Sequence, residues 1–151
     1  MNTFRVESVQ IKAAFDKVFA YIAASETLPM WTHAFKSVRD GTAILATPAG
    51  TVEIGLRVNP CRDQGTIDWF MKFPNGSEAV AYSRLVPESR EACVYSFVLL
   101  APPVRLAQLE GALDQQTKIL REELKRLQQI LEAPSRSVGY DGRNREESAA
   151  G

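Results

Sequence analysis

The sequence is poor in the residues that hold metals or form disulfides. Among its 151 residues are two cysteines and one histidine. Cys61 and Cys93 are far apart and form no CxxC spacing, so the sequence predicts neither a disulfide framework nor a zinc site. It also contains no glycine-rich nucleotide loop and no Ser-His-Asp order. We therefore expect no metal and no cofactor.

The chain also lacks an excess of charge of either sign. It has 18 Lys and Arg residues against 18 Asp and Glu residues. Proteins that bind a phosphate backbone non-specifically gain most of their affinity from a surplus of basic residues. The balance of charge therefore argues against nucleic acid as a partner.

Long uncharged apolar runs are missing from the first twenty residues. Five charged residues interrupt this stretch, namely Arg5, Glu7, Lys12, Asp16 and Lys17. A signal peptide or a membrane span needs a longer uninterrupted apolar run. We expect no membrane insertion and a cytoplasmic location.

The residues that are present predict an α+β order of elements. Residues 4–11 are rich in β-branched and aromatic types and predict a strand, whose alternation changes phase near Ser8 as it would at a bulge or at a fully covered end. The apolar spacing of 15–25 predicts a short amphipathic helix, and 26–32 a second brief helix or turn. Regular Gly, Pro and Asn signals from 35 to 100 then predict a meander of six antiparallel strands.

The turn at Asn75-Gly76 sets the register of the hairpin around it. A two-residue type I′ turn here opposes Trp69 to Tyr82 and Ile67 to Arg84. Trp69, Met71 and Tyr82 then share one face of the sheet, and Asp68 lies on the other. Tyr95 and Phe97 face the same side as Trp69 if the loop at 87–90 has four residues.

The last long segment predicts a helix of about 30 residues, which is about 45 Å if wholly helical. A stripe with alternating three-and-four spacing runs along it. Its members are Leu106, Leu109, Leu113, Thr117, Leu120, Leu124, Leu127 and Leu131. We predict one domain over 1–133. Residues 134–151 have little to bury and predict a disordered tail.

The predicted order of elements resembles that of the START-like helix-grip superfamily, also called SRPBCC: one strand, two short helices, six strands and one long helix. Within it the chain is most similar to the polyketide cyclase/dehydrase and lipid-transport branch. The resemblance rests on AAFDKVFAYIAASETLPMWTHAF, similar to the family pattern V-F-x-Y-I-A followed by L-P-x-W, on ATPAGTVEIGLRVNPCRDQGTIDWF, and on the leucine-striped helix. It covers about residues 4–132 and implies a curved sheet wrapped around the last helix. The functions it implies range from lipid carriage to cyclisation, so fold alone does not define activity.

A curved sheet crossed by a single helix leaves an elongated cavity, because the two surfaces cannot fill the space between them everywhere. We expect this cavity to bind a hydrophobic or aromatic small molecule, lipid-like or polyketide-like. The candidate ligand-binding residues are Trp31, His33, Trp69, Met71, Tyr82, Arg84, Tyr95, Phe97, Leu113 and Thr117. Ordinary structural roles compete with these: Trp31 in core packing, His33 in solvent, and Arg84 in a rim salt bridge.

A cyclase/dehydrase-like enzyme is an alternative reading of the same cavity. His33 or Asp68 would then act as the general base, and Tyr82 or Arg84 would stabilise the developing oxyanion. The resemblance expects an inward Asp at position 68, whereas the hairpin register turns it outward. A bulge near Gly65 would reconcile the two.

A third reading makes the leucine stripe an interaction surface. Its spacing is sustained over about four heptads, as in a coiled coil. In this order of elements, however, the helix is required to cover the sheet, and this covering role is favoured. If part of the stripe near Leu127 to Leu131 is left uncovered by the sheet, the chain would form a homodimer through it.

Overall fold

The computed structural model of the chain describes residues 3–47, 49–101 and 106–134, with the backbone alone for 106–110. The elements are β1 (Phe4–Ile11), α1 (Phe15–Ala23), a 3₁₀ turn (Ser25–Thr27), α2 (Leu28–Trp31), β2 (Phe35–Arg39), β3 (Thr42–Thr47), β4 (Gly50–Cys61), β5 (Thr66–Lys72), β6 (Glu78–Ser89), β7 (Ala92–Leu100) and α3 (Leu106–Glu132). The predicted α+β order is confirmed.

The strands form one curved antiparallel sheet of seven strands in the order β1-β7-β6-β5-β4-β3-β2. Each strand from β2 to β6 pairs with the next strand along the chain, and β1 pairs with β7 at one edge of the sheet. The long helix α3 lies against this sheet, and the predicted helix-grip architecture is confirmed.

The bulge that was one explanation for the change of phase near Ser8 is not present. β1 pairs with β7 without a shift from Phe4 to Ile11. The change of phase in the sequence has another cause, because the first inward residues of β1 are polar. Arg5 donates to Asp114 of α3 at 3.1 Å, and Arg121 of α3 pairs with Glu7 at 3.0 Å.

The register predicted for the β5–β6 hairpin is wrong by one residue. Lys72 pairs with Glu78, and the amide of Phe73 donates to the carbonyl of Ser77 at 2.9 Å, so the loop spans three residues, 74–76. A type I′ turn requires positive φ at both central residues. Gly76 alone has it, at φ 87°. Pro74 fixes its own φ near the value required by the first central position of a type I turn, and this favours the longer loop.

The observed register turns the side chains of β6 over relative to the prediction. Tyr82 and Arg84 lie on the outer face, where Tyr82 is 43% exposed. Asp68 also lies on this outer face. The bulge near Gly65 that would have turned it inward is not present, because β4 and β5 pair without a shift from Cys61↔Thr66 to Gly55↔Lys72.

The turn expected at 87–90 lies later in the chain. β6 continues to Ser89, with a register shift between Pro87 and Ser89, and Ser89 pairs with Ala92. Because the shift adds a residue on β6 alone, the alternation along β7 is unaffected. Tyr95 and Phe97 therefore face inward, although the loop between the strands is shorter than predicted.

The core lies between α1, α3 and the inner face of the sheet. Every described member of the leucine stripe from Leu113 to Leu131 is buried. Leu127 is 0% exposed and Leu131 is 3% exposed. The stripe therefore packs against the sheet, as the order of elements requires, and the uncovered segment near Leu127 to Leu131 on which the alternative depends is not present. Of the predicted tail, 135–151 lies outside the described residues.

Candidate functional site

A cavity of about 670 Å³ lies between α3 and the inner face of the sheet. Apolar side chains form most of its wall, and five polar residues contribute the rest. Its lining residues are Trp31, Thr32, His33, Ala34, Phe35, Ala46, Trp69, Met71, Ala81, Phe97, Leu99, Ala112, Gln115, Gln116, Ile119, Leu120 and Glu123. This volume is within the range of small-molecule sites, about 300–1,000 Å³.

Small residues on the inner face of β6 create the space. Ala81 pairs with Trp69 on one side, and Ser83 pairs with Phe97 on the other. Neither small side chain fills the concave side of the sheet, so the large rings of the flanking strands border an open volume. Ala46 of β3 and Ala112 of α3 widen the same volume from the edge and from above.

Two tryptophans that line the cavity have buried indole N–H groups. Trp31, at the end of α2, is 2% exposed and Trp69 is 3% exposed. Neither Nε1 donates a hydrogen bond to any described residue. An unpaired buried donor costs about 1–3 kcal/mol relative to a paired one. A ligand that presents an oxygen acceptor to these groups would recover part of that cost.

A polar corner of the cavity joins the α2–β2 connection to α3. The backbone amide of His33 donates to Oε2 of Glu123 at 2.7 Å, and Nε2 of His33 lies 3.6 Å from a carboxylate oxygen of Glu122. Nε of Arg126 donates to the carbonyl of Met30 at 2.6 Å. These contacts hold the end of α2 and the residues after it against the helix.

Glu123 is the carboxylate of this corner. Burial raises the pKa of Glu123 above its usual value, while the hydrogen bond from the amide of His33 acts in the opposite direction. A carboxylate in this position is partly desolvated and accepts one short hydrogen bond from a backbone amide.

The structure brings together five of the ten candidate ligand-binding residues. Trp31, His33, Trp69, Met71 and Phe97 all line the cavity. Their contact with a ligand remains a prediction. The side chain of His33 is 53% exposed, so it lies where the cavity meets solvent.

Three further candidates are buried in the core without lining the cavity. Thr117 donates its hydroxyl to the carbonyl of Leu113 within α3, at 2.7 Å. Tyr95 is fully buried, and burial raises the pKa of its phenol. Tyr95, Leu113 and Thr117 are therefore not among the residues that line this cavity. Tyr82, Arg84 and Asp68 are on the outer face of the sheet, which also removes Asp68 as a base for chemistry in the cavity.

Sequence reasoning missed the polar residues that α3 contributes. Ala112, Gln116, Ile119 and Glu123 recur with alternating four-and-three spacing, beside the leucine stripe. This second stripe was the available signal, because it shares the helical period of the first. Its mixed polarity made it look like an exposed flank.

The part of the chain that the structure describes contains neither a metal-binding cluster nor a membrane-spanning helix. No three His, Cys, Asp or Glu side chains there converge closely enough to hold a metal ion. None of the described helices has the length and apolar character needed to cross a bilayer.

Neither a protein-family model nor a curated protein matches the chain by sequence. Solved structures do match its fold. XoxI from Bacillus cereus superposes with a TM-score of 0.63 at 17% identity, covering 86% of this chain and 96% of that protein. A START superfamily protein from Mycobacterium smegmatis gives a TM-score of 0.57 at 12% identity, with coverage of 85% and 99%.

The Zhui aromatase/cyclase from Streptomyces sp. R1128 is a third similar structure. It gives a TM-score of 0.60 at 10% identity, covering 85% of this chain and 93% of that protein. The chain has a START-like fold of the type that polyketide aromatase/cyclases share, and the resemblance inferred from its sequence is confirmed at that level. At such identities the similarity establishes the fold and leaves the activity open.

Proposed function

We propose that this protein binds one apolar or aromatic small molecule, lipid-like or polyketide-like, in the cavity between α3 and the sheet. The observation that carries the proposal is the cavity itself, about 670 Å³ in volume and walled by Trp31, Trp69, Met71 and Phe97. Apolar walls with a few convergent polar groups are typical of small-molecule sites.

The ligand is expected to carry an oxygen acceptor on an otherwise apolar body. Trp31 and Trp69 line the cavity and their buried Nε1 donors are unpaired among the described residues, so an acceptor that a small turn of either ring brings into reach would pair with them. The similarity in fold to an aromatase/cyclase is compatible with an aromatic ligand and does not by itself identify one. A cytoplasmic location remains a prediction from the sequence.

The test is a fluorescence titration with N-phenyl-1-naphthylamine, an uncharged dye that brightens in apolar sites. We expect saturable binding by the wild-type protein. Ala112→Trp places a large ring in the cavity and should lower the affinity at least about tenfold. Gln129→Trp puts the same ring on the exposed side of α3 and serves as the matched control. Equal binding by both variants would show that the dye is not in the cavity.

Catalysis is a second candidate function, and the position of His33 favours it. His33 lines the cavity, and its Nε2 lies 3.6 Å from the carboxylate of Glu122. A neutral imidazole that donates its Nε2–H to Glu122 leaves Nδ1 free to accept a proton from a bound ketone. Deuterium uptake at the α-carbon of 2-tetralone measures that step. Uptake that is accelerated by the wild-type protein and lost in His33→Gln would support it, whereas equal uptake would exclude His33 as the base.

A further inference from the structure

The cavity wall is asymmetric in charge. Glu123 is the only Asp, Glu, Lys or Arg residue among the lining residues in the described part of the chain. No ammonium or guanidinium group is there to balance an anion. The one other titratable lining group is His33, whose side chain is 53% exposed.

The charges around Glu123 reinforce this asymmetry. Glu122 precedes it on α3 and lies beside His33, while Arg126 is exposed and donates its Nε to the carbonyl of Met30. Lys118 and Lys125 are exposed and do not line the cavity. Arg5 and Arg121 are paired with Asp114 and Glu7 and do not line the cavity either. Among the described residues, a ligand that enters the cavity therefore meets one lining carboxylate and no lining ammonium or guanidinium group.

The carboxylate of Glu123 has one oxygen committed and one available. Oε2 accepts the amide hydrogen of His33 at 2.7 Å, and Oε1 accepts no hydrogen bond from any described residue. A ligand hydroxyl or ammonium could donate to Oε1. A ligand carboxylate or sulfonate at the same position would bring two like charges together in a partly desolvated site, where their repulsion is much stronger than in water.

Building on the proposed binding function, we propose that Glu123 selects ligands by charge. The cavity accepts a neutral or cationic molecule whose donor group faces Glu123, and it rejects an anionic molecule of the same shape. Free fatty acids and other carboxylates are thereby excluded, whereas the corresponding alcohols, phenols and amines are admitted. Burial already raises the pKa of Glu123, in keeping with a carboxylate that has lost part of its hydration.

Two dyes with one skeleton test this selectivity. N-phenyl-1-naphthylamine is neutral, and 8-anilino-1-naphthalenesulfonate adds a sulfonate to it. At neutral pH we expect the wild-type protein to bind the neutral dye at least about tenfold more tightly. Glu123→Gln should raise the affinity for the sulfonate at least about fivefold, and the ratio of the neutral-dye affinity to the sulfonate affinity should fall accordingly. Because Gln is isosteric with Glu, mere crowding by the sulfonate predicts no such recovery.

Glu122→Gln is the matched control, because it removes the same charge one residue away, from a side chain that is 69% exposed and does not line the cavity. We expect it to leave the ratio of the two affinities within about twofold of wild type. If the neutral dye binds and the ratio is the same in wild type and Glu123→Gln, charge selection by Glu123 is wrong and the binding function stands. If neither dye binds in a manner that Ala112→Trp abolishes, both proposals fail.

Discussion

Trp69 of β5 and Phe97 of β7 stack on each other across the intervening strand, with ring centroids 6.1 Å apart and planes inclined by 30°. They meet because β6 presents Ala81 beside Trp69 and Ser83 beside Phe97. A larger residue at either position of β6 would stand between the rings. The aromatic floor of the cavity thus depends on small residues in the strand beneath it.

The first prediction concerns this floor. Ala81→Leu introduces a branched side chain between the two rings and into the cavity, and it should lower the affinity for N-phenyl-1-naphthylamine at least about tenfold. Tyr82→Ser, at the next position, changes the outer face and should leave the affinity within about twofold. Fluorescence titration of both variants checks the register directly. The opposite pattern would restore the register that opposes Trp69 to Tyr82.

The second prediction concerns the indole donors. Trp69→Phe keeps an aromatic ring beside Phe97 but removes the unpaired N–H. Its affinity for 2-acetylnaphthalene should fall about two- to tenfold, which corresponds to one hydrogen bond of about 0.5–1.5 kcal/mol. Its affinity for 2-ethylnaphthalene, which has no acceptor, should change by less than about twofold. Displacement of the fluorescent dye measures both, and equal losses would mean that Trp69 contributes shape alone.

The third prediction is a dependence of stability on pH. Burial raises the pKa of Glu123 above 4.5, so the folded state favours the neutral acid. The contribution of this group to the free energy of unfolding is fully present below pH 4.5, and it is lost as pH rises through the raised pKa. At neutral pH, Glu123→Gln should therefore have a higher free energy of unfolding than wild type, and the difference should shrink as pH falls towards 4.5. Urea denaturation across this range checks the sign. A Glu123→Gln protein that is less stable at neutral pH would show that the carboxylate stabilises the fold.

The fourth prediction compares two glycines that both have positive φ. Gly76 (φ 87°) has open space where a Cβ would stand, so Gly76→Ala should cost only the backbone strain, about 1–2 kcal/mol. Gly65 (φ 74°) lies against the backbone carbonyl of Leu85, which a Cβ would overlap. The amide of Leu85 also donates to the carbonyl of Gly65 at 2.7 Å. Gly65→Ala should therefore lose at least about 2 kcal/mol more than Gly76→Ala, measured by chemical denaturation. Equal losses would mean that the backbone around Leu85 moves aside easily.

The order of elements could be predicted from sequence because periodicity and turn signals are local properties. The stripe Phe15, Val18, Phe19 and Ile22 identifies α1. Its last three members are buried, and Phe15 is partly buried against the core. The leucine stripe identifies α3 in the same way. Such patterns do not depend on how distant segments pair.

The facing of β6 could not be predicted, because it depends on a single residue of loop length. Asn75-Gly76 fits a two-residue turn by composition, and the preceding Pro74 decides for the longer one. One residue of slip exchanged Tyr82 for Ala81 on the inner face. The cavity is consequently bordered by alanines that carry no chemical signature, and by Glu123, whose position next to the leucine stripe resembles an exposed flank.

The most direct test of a ligand-binding cavity uses the two tryptophans of the chain. Both line the cavity, and each contributes one indole N–H signal to a ¹⁵N-¹H correlation spectrum. On saturation with 2-acetylnaphthalene, we predict that both indole signals shift while the backbone amide of Tyr82 on the outer face changes little. Indole signals that stay in place at saturating ligand would contradict the account, because a molecule that fills the space beside Trp31 and Trp69 must alter the surroundings of both.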